Sequence, residues 1–276
     1  MWVVRLLRPS QPTLLSGVPT IDMCTLPVRV MRCLGVKMCI ITNAAGGLNP
    51  NYNVGDILCV TDHFTIPNMG GKNCLVGQSD AALGPRFPPM SNAYDGKMQD
   101  IVAEASTSLA FNDFIRKSNS YCFVSGPMYE TGAESKFLRS VGGDCFGMST
   151  VPEVVAAHHA GIKVLCLSMI TNKVVMPGDI NKVAASHQEV LDTVNVRCSD
   201  MQSLVKEIVH KAKEYLGSIP GFGRGRLDLA RRLYLSKTNM ICSPSCTSPS
   251  WPPLSPSDSS PGRRRDRRQK EGGLFR

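Results

Sequence analysis

Short apolar runs recur along this chain, and most of them end in glycine, asparagine or another turn-forming residue. Five runs predict β-strands, near residues 37–42, 56–61, 120–125, 144–148 and 163–171. Between and after them, apolar positions with helical spacing predict helices near residues 25–35, 95–109, 131–141, 151–160 and 186–215. Strands that alternate with helices in this way predict an α/β fold, in which a mixed, largely parallel central sheet is flanked by helices.

Three of the predicted helices begin with a Ser/Thr-x-x-Glu pair, which is the spacing of a capping box. The pairs are Thr131–Glu134, Thr150–Glu153 and Ser186–Glu189. In a capping box each side chain bonds the backbone N–H of the other residue, and two otherwise unpaired donors of the first turn are satisfied. We therefore expect the same kind of start at all three helices.

The stretch 146–161, FGMSTVPEVVAAHHAG, combines a strand end, a turn and a helix start. The Ser149 hydroxyl, the free backbone N–H groups of the turn and the positive end of the helix dipole together favour a bound anion such as phosphate. In the stretch 39–50, CIITNAAGGLNP, an apolar run breaks into small residues that would let the backbone approach a ligand closely. Polar residues also follow two further strands, at the carboxyl ends where open α/β sheets bind ligands.

Four motifs carry a resemblance to a known family: NAAGGLNP (43–50), GPMYETGAE (126–134), GMSTVPEV (147–154) and TNKV (171–174). In this order and spacing they resemble the trimeric purine nucleoside phosphorylases. The resemblance covers residues 26–187 and implies the three-layer nucleoside phosphorylase fold. It also implies a homotrimer that, in purine salvage, converts 6-oxopurine nucleosides and phosphate to free base and (deoxy)ribose 1-phosphate. Phosphate would be a co-substrate, and neither a metal nor an organic cofactor would be needed.

The resemblance implies that Asn172 and Glu130 recognise the purine. An amide can donate to N7 or O6 of hypoxanthine or guanine, and a carboxylate can accept from N1–H, whereas adenine would leave both groups unpaired. Activity on methylthioadenosine would call for a carboxylate at position 172, and Asn172 argues against it. Tyr129 would pack on the purine and Phe146 would narrow the base pocket, although both could instead be core aromatics.

Other positions are implied to contact ribose and phosphate. Met148 would pack on the ribose, although it could equally be core filler, and His187 would bond the 5′-hydroxyl and act in catalysis with Asn172. The spacing from Asn172 to His187 is one residue longer than in the family. Phe87 would reach the ribose site of a neighbouring subunit. The phosphate contacts that match are the Ala44 backbone N–H and the Ser149 hydroxyl.

Some phosphate-binding elements of the family find no counterpart in this sequence. These elements are a Gly-rich loop and a Gly-Arg-x-His segment. The family's tyrosine near the ribose also has no counterpart. Hydrogen bonds to charged groups are worth about 1.5–3 kcal/mol each, so we expect weak turnover. We also expect an open sheet edge where early strands are missing. The alternative function is a non-catalytic purine-binding or regulatory subunit of the phosphorylase trimer.

Composition places most of the charge outside the predicted domain. The chain of 276 residues has a net charge of +9, and residues 217–276 contribute 12 Lys and Arg against 4 Asp and Glu. We divide the chain into a divergent segment 1–24, a phosphorylase-like domain 25–216 and a basic, low-complexity tail 217–276. We expect the tail to be disordered. A nucleic-acid role of this tail is a weaker hypothesis. The sequence predicts no membrane helix, and its 11 cysteines indicate reduced thiols in the cytoplasm.

Overall fold

The structure is a computed structural model that describes residues 21–77, 81–126, 128–179 and 187–219. All of these residues lie in one compact unit, Met1–Cys242, and the second unit, Ser243–Arg276, lies outside the described residues. The predictions for the basic tail beyond residue 219 and for most of the segment 1–24 therefore lie outside them as well. No helix within the described ranges is both long and apolar enough to cross a membrane.

The elements follow one another as the apolar pattern predicts. In chain order they are α1 (Ile21–Cys33), β1 (Met38–Gly47), β2 (Ile57–Thr65), α2 (Ile66–Met69), α3 (Gly96–Ser108), β3 (Ile115–Phe123), α4 (Gly132–Ser140), β4 (Cys145–Gly147), α5 (Val151–His159), β5 (Lys163–Lys173), α6 (His187–Lys211) and α7 (Lys213–Ser218). The short helix α2 was not predicted. Its start is capped by Thr65, whose hydroxyl accepts from the Asn68 N–H at 3.4 Å.

Strand β1 is longer than the sequence predicts. The break expected at Asn43 is wrong, because the strand continues to Gly47 and pairs with β5 along almost its whole length. At its end it also pairs with β4, where Gly46 lies opposite Phe146. A Cβ atom at Gly46 would overlap the Phe146 ring, so the glycine permits the close pairing of these two strands.

The five strands close into a barrel in the order β1-β4-β3-β2-β5. Parallel pairs join β1 to β5, β2 to β3 and β3 to β4, whereas β1–β4 and β2–β5 are antiparallel. The predicted mixed, largely parallel sheet is confirmed. The expected open edge is wrong for the described strands, because the short strand β4 bridges the ends of β1 and β3 and closes the circuit.

Helices cover the barrel on two sides, which confirms the predicted three-layer arrangement. Side chains of β1 alternate between two apolar clusters, so that Ile41 packs with α1 and α5 and Ile40 packs with α3 and α6. Several cysteines belong to this interior, and burial raises the pKa of the Cys59 and Cys166 thiols to about 12. These thiols therefore stay protonated at neutral pH and act as small apolar side chains.

Helix α4 begins with the capping box that the sequence predicts. The Thr131 hydroxyl accepts from the Glu134 N–H at 3.2 Å, and the Glu134 carboxylate accepts from the Thr131 N–H at 2.7 Å. Thr131 has an ordinary extended backbone conformation, with φ −76° and ψ 162°. The hydrogen bonds from Thr131 lower the pKa of Glu134.

Candidate functional site

Three of the sequence motifs meet at Gly46. On one side this residue of β1 pairs with Asn172 of β5, and on the other side it pairs with Phe146 of β4. Adjacent strands lie about 4.8 Å apart, so Asn172 and Phe146 flank Gly46 on consecutive strands. The NAAGG, TNKV and FGMST segments therefore form one continuous surface, although they are far apart in sequence.

A β-bulge sets the position of Asn172. Ala45 pairs with Ile170 and the next residue, Gly46, pairs with Asn172, so Thr171 is the extra residue of β5. Bulges of this kind often re-aim side chains next to functional sites. The Thr171 hydroxyl lies 3.1 Å from Asn172 Oδ1 and 3.4 Å from the Ala45 carbonyl, and it donates its single proton to one of them. When it donates to the nearer Oδ1, the amide presents Nδ2 as its donor group. A donor is the group that the resemblance implies for recognition of N7 or O6.

The segment that carries Glu130 lies close to a residue that follows β4 and to a residue that follows β5. At its start, Gly126 has a positive φ of 63°, and a Cβ atom there would lie 2.6 Å from Met148 Sδ. At its end, a Cβ atom on Gly132 would lie 3.2 Å from the Pro177 nitrogen, just beyond β5. The backbone therefore runs from the residues that follow β4 to those that follow β5, with Glu130 between the two contacts.

Glu130 is half-buried, and its Oε2 atom has no hydrogen-bond partner among the described residues. Burial raises the pKa of Glu130, and the neighbouring charge of Glu134 raises it further. A buried acceptor without a partner costs free energy, which a ligand N–H would recover. Tyr129 is 46% exposed and so is not a core aromatic, whereas Phe146 is only 3% exposed and packs with Leu48 and other apolar residues. The proposed contacts of both rings with a base stay predictions.

The turn before α5 differs from the prediction. The Val151 N–H donates to the Ser149 carbonyl at 3.0 Å, which makes a three-residue γ-turn centred on Thr150, with φ 82° and ψ −55°. This form of the γ-turn is rare and strained, and a non-glycine residue in such a conformation costs about 1–3 kcal/mol. The predicted capping box is wrong in its first half, because the Thr150 hydroxyl does not cap the helix. It accepts instead from Asn43 Nδ2 at 2.9 Å.

Glu153, the other residue of that predicted capping box, is half-buried. Burial raises the pKa of the Glu153 carboxyl, and hydrogen bonds from the backbone N–H groups of Glu153 and Thr150 partly oppose this effect. The Glu153 Oε2 atom has no hydrogen-bond partner in the described part of the chain. Thr150 is therefore held from another element at its hydroxyl, by the Asn43 amide.

The two predicted phosphate contacts lie on either side of the Asn43–Thr150 hydrogen bond. Ala44 follows Asn43 and is exposed, and Ser149 precedes Thr150 and is half-buried, with its Oγ 3.3 Å from Thr150 Oγ1. Helix α5 starts at the turn, so the positive end of its dipole lies beside these groups. The exposed backbone of Ala44, the Ser149 hydroxyl and the helix start form an arrangement suited to an anion.

Sequence reasoning missed the residues that support this turn. Tyr121 of β3 is fully buried, its hydroxyl has no hydrogen-bond partner among the described residues, and a Cβ atom on Gly147 would collide with that hydroxyl. Asn43 was noted only as the end of an apolar run. A polar group at the end of a buried strand was the available signal for both, but the sequence could not tell which residue each one faces.

Two predicted residues lie apart from this surface or beyond what is described. His187 is the first residue of α6, and its side chain lies outside the described residues. Phe87 is 87% exposed, with the Arg86 guanidinium 5.8 Å from its ring centroid. Its loop is anchored to the end of α5, where His158 Nε2 bonds the Pro89 carbonyl at 2.8 Å.

Comparisons with known proteins agree with the motif resemblance. The family model described as "Phosphorylase superfamily" matches residues 6–210, which begins before the predicted domain 25–216 and ends within it. The purine nucleoside phosphorylase of Mus musculus is 44% identical over 181 residues, which cover 66% of this chain and 62% of the relative. Relatives of this kind are longer, and the chain spans 62–65% of the length of the first curated ones that it matches.

Solved structures give the same result. Purine nucleoside phosphorylase of Schistosoma mansoni in complex with inosine has a TM-score of 0.68 and 40% sequence identity, and the match covers 70% of this chain and 68% of that one. The same enzyme in complex with adenosine has a TM-score of 0.68 and 39% identity, with the same two coverages. The chain therefore belongs to the phosphorylase superfamily and, within it, to the purine nucleoside phosphorylase family.

Proposed function

We propose that this chain binds 6-oxopurine nucleosides and inorganic phosphate, and catalyses phosphorolysis to the free base and (deoxy)ribose 1-phosphate. The observation that carries the proposal is the position of Gly46, between Asn172 on one strand and the strand that leads to Ser149 on the other. One surface then offers a base-recognition group and an anion-binding turn. This combination is what phosphorolysis requires of a protein.

The base would be read by two groups of opposite character. Asn172, oriented by Thr171, would donate to N7 or O6, and Glu130 would accept the N1–H proton with its unpartnered oxygen. As phosphate attacks C1′, the C1′–N9 bond breaks and its electron pair goes to the purine. Hydrogen bonds donated to N7 or O6 would stabilise the negative charge on this leaving purine, and electrostatic stabilisation of this kind is usually the largest catalytic contribution. The bond from N1–H to Glu130 would orient the base.

Phosphate and ribose would lie between the base groups and α5. The Ala44 N–H, the Ser149 hydroxyl and the start of α5 would hold the phosphate, and Met148 would pack on the ribose. His187 would bond the 5′-hydroxyl, and Phe87 would reach the site of a neighbouring subunit of a homotrimer. The exposure of Phe87 supports this last assignment, because an aromatic side chain that is 87% exposed gains from burial by another chain. We place the reaction in cytoplasmic purine salvage.

Substrate preference is the finer part of the proposal. An amide at position 172 and a carboxylate at position 130 complement hypoxanthine and guanine, and would leave two polar groups unpaired against adenine. A related Schistosoma mansoni enzyme has been crystallised with adenosine as well as with inosine. The proposal therefore concerns relative turnover, with inosine and guanosine preferred over adenosine.

A phosphorolysis assay with inosine, guanosine and adenosine tests this function on the full chain. We expect turnover of the 6-oxopurine nucleosides below the roughly 10 s⁻¹ of an ordinary enzyme, because few of the implied phosphate contacts are in the sequence. Asn172→Ala should reduce kcat/KM for inosine by about 10- to 100-fold, the equivalent of one hydrogen bond to a developing charge. Asn172→Asp is the matched control, because it should shift the preference toward adenosine.

Calorimetry separates catalysis from binding alone. Guanine is titrated into the full chain, first without and then with inorganic phosphate. Guanine binding that phosphate strengthens supports the enzyme, and guanine binding that phosphate leaves unchanged, without turnover, supports the alternative of a non-catalytic purine-binding subunit. Absence of both turnover and guanine binding contradicts the proposal.

A further inference from the structure

We infer that Asn43 is a positioning residue for phosphate: its hydrogen bond to Thr150 holds the γ-turn in the shape that places Ser149 beside Ala44. The inference rests on the proposed function, because phosphate is the ligand that the turn would bind. It goes beyond that function by assigning a role to a side chain that need not touch the ligand.

The γ-turn needs an external support. Thr150 has φ 82°, which is a conformation that residues other than glycine rarely adopt, and its side chain is 2% exposed. The local hydrogen bonds of the turn are the one from the Val151 N–H to the Ser149 carbonyl and a long one, at 3.3 Å, between the Ser149 and Thr150 hydroxyls. A strained conformation persists only where its surroundings fix it, and such conformations concentrate at functional sites. The Asn43 amide supplies one of these fixed points from a different element of the fold.

Asn43 is well suited to this task because its backbone is fixed. It lies within β1 and pairs with Ser168 of β5, so its position does not depend on the turn. Its Nδ2 bonds Thr150 Oγ1 at 2.9 Å and also lies 3.6 Å from Cys166 Sγ. Its Oδ1 is buried without a partner in the described part of the chain, so the amide is not placed there to satisfy its own polar groups.

One hydrogen bond thereby joins the neighbours of both phosphate contacts. Ala44 follows Asn43 in the chain, and Ser149 precedes Thr150, so the bond links the two segments that carry the Ala44 N–H and the Ser149 hydroxyl. Without it, Thr150 can relax to a negative φ, and this rotation moves the Ser149 hydroxyl and the N–H groups of the turn. Asn172 and Glu130 lie on other segments, and their positions do not depend on this bond.

Isothermal titration calorimetry with inorganic phosphate tests the inference on the full chain. Asn43→Ala and Thr150→Val should each weaken phosphate binding by about 10-fold, the equivalent of one hydrogen bond. The double variant should be no weaker than either single variant, because both remove the same bond. Thr150→Ser keeps the hydroxyl and should retain most of the affinity. Guanine affinity without phosphate should be unchanged in every variant.

Each other outcome contradicts the inference in a distinct way. Unchanged phosphate affinity in Asn43→Ala, additive losses in the double variant, or an equal loss in Thr150→Ser and Thr150→Val would each overturn it. If Asn43→Ala does not fold, as judged by circular dichroism, the nearly isosteric pair Thr150→Val and Thr150→Ser carries the same comparison. A wild-type chain that binds no phosphate overturns the proposed phosphorolysis as well, whereas binding that is insensitive to Asn43 overturns the positioning role alone.

Discussion

Helices α4 and α5 begin with the same four-residue signal and fold it in two different ways. At α4, Thr131 and Glu134 form a complete and exposed capping box, and the backbone of Thr131 is relaxed. At α5, Thr150 has a positive φ, its hydroxyl bonds Asn43 from β1, and Glu153 is half-buried, with a buried oxygen that has no partner among the described residues. The local sequence predicts a capping box at both helices, and the complete capping box forms only at α4.

The difference shows what overrides a local capping preference. Capping is worth about 1 kcal/mol, a magnitude that a single buried hydrogen bond to another element can match. Helix α4 starts at the surface, and within the described residues the Thr131 hydroxyl bonds Glu134 of its own helix. Helix α5 starts at the meeting point of β1, β4 and β5, where Asn43 is within reach. Strain and unpaired polar atoms occur at the second start, as expected where a ligand completes the site.

The largest expected change in the free energy of unfolding is at glycine residues near the starts of the two helices. Gly147→Ala should destabilise the protein by about 1–3 kcal/mol, because the new methyl group would collide with the buried Tyr121 hydroxyl, which has no room to move. Gly132→Ala at the start of α4 is the matched control. Its methyl group would lie 3.2 Å from the Pro177 nitrogen, and alanine favours the helix, so its effect should be smaller.

Urea denaturation of the two glycine variants measures this difference. Equal losses in the free energy of unfolding would show that the approach to α5 is no more tightly packed than the approach to α4, and would remove the packing part of the comparison.

The next effect concerns the two threonines. Thr150→Ala should lower the free energy of unfolding by about 1–3 kcal/mol, because it leaves the Asn43 amide without its oxygen partner in a buried setting. Thr131→Ala should cost about 1 kcal/mol, the usual value of an N-cap. Thermal unfolding, with circular dichroism as the signal, compares the two. A smaller loss at Thr150 than at Thr131 would mean that the Asn43 bond contributes less than an exposed cap.

The smallest effects are expected at the two glutamates, and they should have opposite signs. Burial raises the folded-state pKa of Glu153, so its contribution to stability is present at low pH and is lost as the pH rises through that pKa. Glu153→Gln should therefore raise the unfolding midpoint at pH 7 by about 2–4 °C relative to the wild type, with little gain near pH 4.

Glu134 should show the reverse. Its hydrogen bonds to Thr131 lower its pKa, so its contribution is present above the unfolded-state pKa and is lost as the pH falls through the folded-state value. Glu134→Gln should lower the unfolding midpoint at pH 7 and have no effect in strong acid. Midpoints measured from pH 3 to pH 8 give both curves. If both variants shift the unfolding midpoint in the same direction at pH 7, the two carboxylates occupy similar environments.

Much of the fold could be predicted from the sequence, because strand and helix periodicity is a local property. All five strands and the main helices lie where the apolar runs place them. The closure of the barrel could not be predicted, since it depends on a short pairing between Gly46–Gly47 and Cys145–Phe146, far apart in sequence. The extension of β1 past Asn43 has the same origin, because partners on β4 and β5 keep the small residues in the strand.

The candidate site divides in a similar way. The motifs named Asn172, Glu130 and Ser149 as candidates, because their residue types and order resemble those of a family. The sequence did not reveal that a bulge at Thr171 re-aims Asn172, or that Asn43 bonds Thr150, because both depend on the pairing of β1 with β5 and on the approach of α5.

The sequence by itself determined the order of the elements, the family and the residue types at the candidate site, because apolar spacing and motifs are written along one chain. The tertiary structure alone decided how the start of α5 is built. A threonine hydroxyl caps its own helix only from an extended backbone, and Thr150 has φ 82° instead. Whether its hydroxyl meets a backbone N–H of its own helix or the amide of Asn43 depends on which strand lies beside it.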